Sequence, residues 1–94
     1  MANRREVKKD IQFIIHDFID ECCAFIINNP GEKEKEINKN IDEAVELYDD
    51  LMHRVNNHSH LKGKEVNAHF KEIYKDLEEK SIALTKKFNK NMAS

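Results

Sequence analysis

Tryptophan is absent from this chain, and its 94 residues include one proline, two glycines and few aromatics, at 7%. β-rich and loop-rich folds take their turns from glycine and proline, so this scarcity excludes them and leaves long helices. A one-sided charge is missing too. Sixteen Lys and Arg against 18 Asp and Glu give a net charge of −2, so no overall field recruits nucleic acid or an anionic membrane. What is present is 39% hydrophobic and 36% charged residues, too apolar for plain disorder and enough for one core. A chain of this length is expected to form a single helical-bundle domain over residues 1–94.

The longest apolar stretch, from Ile11 to Ile27, is interrupted by His16, Asp17, Asp20 and Glu21. An acid at the centre of a hydrocarbon layer costs roughly 2.5 to 3.5 kcal/mol, so the stretch is read as neither a span nor a signal. No small-residue cleavage pattern follows it. Cys22 and Cys23 are adjacent, and adjacent helical side chains diverge by about 100°, which is unfavourable for a bridge. Both are expected as reduced thiols, Cys22 in the core and Cys23 at its border, with the protein in the cytoplasm.

Punctuation occurs at Asn28–Gly31 and again from Asn56 to Gly63. These breaks predict three helices, at roughly residues 4–28, 30–57 and 62–90, in an elongated all-α, antiparallel up-down-up bundle. Asn29 is placed to cap the second helix, with Pro30 at its first position and Glu32 at capping-box spacing. Either Ser59 caps the third helix or Gly63 ends the connection. Residues Asn89 to Ser94 are expected to fray.

On the second helix, Ile37, Ile41, Ala44, Val45, Tyr48, Leu51, Met52 and Val55 fall within an arc of about 120°, with Leu47 outside it. On the third, Val66, Phe70, Ile73, Tyr74, Leu77, Ser81, Leu84 and Phe88 follow the three-and-four spacing of left-handed packing, and Ile82 is the exception. The first helix is greasier. Val7, Ile11, Ile14, Ile15, Phe18, Ile19, Cys22, Phe25 and Ile26 already fill an arc of about 140°, and Phe13, Cys23, Ala24 and Ile27 lie beyond it.

Net charges of −1, −4 and +3 for residues 1–29, 30–57 and 58–94 make the second and third segments complementary. The antiparallel order sets Glu32, Glu34 and Glu36 near Lys86, Lys87 and Lys90, and Arg5, Lys8 and Lys9 near Asp49 and Asp50.

Surplus grease on the first helix points to a partner, either a second copy or another protein. Phe13, His16, Asp20, Cys23 and Ile27 are the candidate contact residues, and the function expected is a non-catalytic protein-interaction or structural module. No cofactor, catalytic residue or small-molecule substrate is expected. The exposed lysines of the third helix, Lys64, Lys71, Lys75 and Lys86, are interrupted by Glu78 and Glu79 and read as a solvated face rather than a nucleic-acid site.

The alternative reading lies at the turn between the second and third helices. His53, His58, His60 and His69 gather there, and Asp49 with His53 has the spacing that puts two metal ligands on one helical face. Arg54 and His60 also form an Arg-x5-His pattern that resembles the signature of the HEPN ribonuclease domains. That resemblance covers seven residues and implies a phosphate-stabilising role for Arg54 and an acid-base role for His60.

Overall fold

The computed structural model, which describes residues 3–31, 33–57 and 61–93, consists of three α-helices: α1 (Arg4–Asn28), α2 (Glu34–Asn56) and α3 (Lys64–Ala93). There is no strand among the described residues. Side-chain contacts fix the order as up-down-up. Tyr48 of α2 meets Gln12 and His16 of α1, whereas Tyr74 and Phe88 of α3 reach Asp10 and Phe18 of α1 in parallel sequence. The rods make a body of 50 × 18 × 17 Å, the all-α three-helix bundle that the missing turn residues require.

α1 begins where Asn3, in extended backbone, accepts a hydrogen bond from the Glu6 amide at 2.9 Å, satisfying one of the amides a helix start leaves unpaired. Its end corrects the expected cap. Asn29 closes α1 instead of opening α2: its amide and its side-chain Nδ2 both donate to the Phe25 carbonyl, at 2.9 and 3.0 Å. Pro30 disfavours helical backbone in the residue before it, so Asn29 leaves the helix with ψ 65°. Gly31 and Lys33 are both left-handed, at φ 81° and 56°, and α2 starts only at Glu34, four residues later than expected. Glu32 lies outside the described residues, as do Ser59, His58 and His60. Gly63, at φ 54°, ends the second connection.

The core joins Val7, Ile11, Ile15, Phe18 and Cys22 of α1 to Ile37, Ala44, Leu47, Leu51 and Val55 of α2 and to Phe70, Ile73, Leu77, Leu84 and Phe88 of α3. On α2 the buried stripe is turned from the expected arc: Leu47 is inside and Val45 outside. Asn40 is buried as well, so that Ile37, Asn40, Ala44, Leu47 and Leu51 repeat at alternating three and four residues. That is the seam a left-handed pair keeps facing its partner, whereas a plot weighted by hydrophobicity leans toward Val45 and ignores Asn40. Ile14 is exposed and Ser81 half-buried, where both were expected inside.

Phe88 sits edge-on to Phe18 and Phe25, with ring centroids 5.9 and 6.1 Å away. This wedge holds the last turns of α3 against α1, and the helix continues to Ala93 instead of fraying from Asn89.

The charge pattern selects the observed direction with a different register. Lys87 Nζ pairs with Glu43 at 2.9 Å and Arg54 Nη1 with Asp76 at 2.7 Å. Eleven residues separate the partners on each helix, which is three turns. Lys87 therefore meets Glu43, about two turns beyond the acids at the start of α2, because α2 starts later and α3 runs longer than expected. Asp50 approaches Arg54 on its own helix, at 3.8 Å.

Candidate protein-interaction face

α1 buries its inner stripe against α2 and α3, packs Ile19, Phe25 and Ile26 partly against the same core, and leaves Phe13, Ile14 and Ile27 outside it. Phe13 is 75% exposed and Ile27 74%. α1 and α3 touch each other less than either touches α2, which leaves a shallow groove of about 290 Å³ between them. Phe13, Ile14 and Phe18 line one side, Ile82 the other, and Asp17, Glu21 and Lys86 rim it. Ile82, the off-arc residue of α3, is 48% exposed and extends the apolar surface that the sequence assigned to α1 alone.

The polar members of the face are held differently. His16 stacks on Tyr48 with centroids 5.6 Å apart and planes 24° off parallel. Gln12 Nε2 donates to Tyr48 Oη at 3.4 Å, so one α2 side chain braces two successive turns of α1. Asp20 is exposed one turn beyond His16. Cys23 is exposed and Cys22 buried, both with free thiols. Burial pushes the Cys22 thiol up to about 11, and the charges of Cys23 and Glu21 add to the effect. A second shallow hollow runs along this face, lined by Lys9, Gln12, Phe13, His16, Asp17 and Asp20.

At the other candidate site, the α2–α3 end, Arg54 is engaged structurally. Its guanidinium donates to Asp76, and that hydrogen bond holds the Asp76 carboxyl below its ordinary value, with the Arg54 charge adding to it. His69 Nε2 lies 2.7 Å from the Arg54 carbonyl. A carbonyl only accepts, so Nε2 carries the proton there. His53 and Asp49 are exposed. Among the described residues no three His, Cys, Asp or Glu side chains are grouped to hold a metal ion. Asp76 was not singled out from sequence; its only signal was its place on the charge-complementary α3. Lys64, Lys71, Lys75 and Lys86 are all exposed, with Glu78 and Glu79 among them.

No helix among the described residues is long and apolar enough to cross a membrane. No family model, no curated protein and no solved structure matches the chain.

Proposed function

We propose that this chain is a non-catalytic helical-bundle module that acts through protein contact and self-associates through the outer face of α1. The observation that carries this reading is the pair Phe13 and Ile27, both about three-quarters exposed on one helix of a small bundle whose core is already complete. Exposed apolar side chains scattered singly need no partner, but here Ile14 lies beside Phe13 on the α1 side of the groove and Ile82 faces them from α3, and a contiguous patch marks an interaction site. Burying one such side chain is worth about 1.5 to 3 kcal/mol, and a two-fold contact counts each of them twice. We place the chain in the cytoplasm, a reducing compartment in which its two cysteines stay as thiols.

Phe13→Asp and Ile27→Asp test this. Each variant is expected to keep its helicity and stability within about 0.5 kcal/mol, because neither side chain supports the core, while sedimentation equilibrium reads a loss of association of about 10-fold or more. A wild-type chain that stays strictly monomeric at high micromolar concentration refutes self-association.

A further inference from the structure

We infer that the second copy docks antiparallel, α1 against α1, with His16 of each subunit opposite Asp20 of its partner. This rests on the self-association reading and adds orientation and register to it.

The outer face of α1 carries a second seam behind the buried one. Phe13, His16, Asp20, Cys23 and Ile27 are separated by three, four, three and four residues, the repeat that two helices need to stay in contact along their length. All five are exposed. The hollow along this face is made by residues 9, 12, 13 and 16 and by residues 13, 16, 17 and 20. Each set is a residue with its neighbours three, four and seven positions on, which is the four-residue hole that receives a side chain from a facing helix. His16 is held in place for this contact by its stack on Tyr48.

Charge decides the direction. In a parallel pair each seam residue meets its own copy, so Asp20 faces Asp20 across a desolvated seam, and like charges at such positions select against that pairing. Run antiparallel about a two-fold axis level with residue 18, the same seam sets His16 against Asp20, Phe13 against Cys23, and the aliphatic stem of Lys9 over Ile27, each contact formed twice. A slip of seven residues in either direction leaves Phe13 or Ile27 uncovered. The face is thus self-complementary in one register. Its polar central layers cost affinity and fix alignment, as buried polar seam positions do.

Thiol chemistry separates the possibilities. In the antiparallel register the two Cys23 residues lie about ten residues apart along the axis, roughly 15 Å, too far for a bridge. The wild-type protein is therefore expected to give little covalent dimer under mild oxidation, while Phe13→Cys, which brings a thiol opposite Cys23 of the other subunit, gives about 10-fold more. Because that change also removes a contact, a photoreactive benzoylphenylalanine at position 13 keeps the bulk. It is expected to crosslink to the partner peptide around Cys23. Crosslinks to the partner peptide around Phe13, or ready disulfide formation by wild-type Cys23, overturn the register. Sedimentation of the same samples shows which idea fails: a dimer with the wrong crosslinks leaves self-association standing, and a monomer removes both.

Discussion

Among the described residues Asn40 is the one polar side chain in the core, 3% exposed, and its Nδ2 has no hydrogen-bond partner. An unpaired buried amide costs about 1 to 3 kcal/mol, and Leu fills a similar volume. Asn40→Leu is therefore expected to raise stability by about 1 to 2 kcal/mol, read as a higher urea midpoint with an unchanged slope. A lower midpoint would show that the amide is serving a partner. This residue also marks where the sequence was hard to read. An asparagine scores as surface, so neither its burial nor the accompanying rotation of the α2 stripe toward Leu47 could be found by ranking residues on hydropathy. Phe13 and Ile27 were legible for the opposite reason: large apolar side chains off a stripe that is already full must face outward.

Asn3 and Asn29 side chains close the two ends of α1, whereas the starts of α2 and α3 follow left-handed backbone at Lys33 and Gly63. Gly63 holds φ 54° just before α3, and a Cβ added there would meet nothing within 4 Å. The cost of Gly63→Ala is then conformational only, about 1 to 2 kcal/mol, and the melting temperature should fall by roughly 4 to 8 °C for each kcal/mol in a domain of this size. Gly63→Asn should lose less, since asparagine tolerates the left-handed region. No change in either variant would refute a strained requirement at this turn. The end of α1 could be read closely because the break at Asn28–Gly31 acts locally, whereas the Asn3 cap at its start was not singled out from sequence. The start of α2 could not, because Asn29 is as good a closing residue as an opening one, and its role depends on the left-handed turn at Gly31 and Lys33.

Stability of the assembled bundle should decline on the alkaline side. Burial raises Cys22 from 9.0 to about 11, and burial with the hydrogen bond to Asp10 raises Tyr74 from 10.0 to about 12. Both groups hold their protons more tightly when folded, so their contribution is complete below the unfolded values and is lost as pH rises through the folded ones. Urea midpoints are expected to fall between pH 9 and 11, and Cys22→Ser should flatten that slope. In the native protein at lower pH, a thiol reagent should reach Cys22 only on unfolding, and should modify Cys23 quickly at dilutions where the subunits have separated. A steady midpoint across that interval would refute the assignment.

Topology was legible because charge is distributed unevenly between whole segments, while register was not, since it depends on where each helix starts. That register has a mechanical meaning. The Glu43–Lys87 and Arg54–Asp76 pairs sit at matched intervals on two rods, so sliding α3 along α2 by a single turn would unhook both at once. Partly exposed pairs like these add little to the depth of the folded state, yet together they act as a ratchet pawl, steepening the path to a slipped alignment that the smooth oily stripe beneath would otherwise permit.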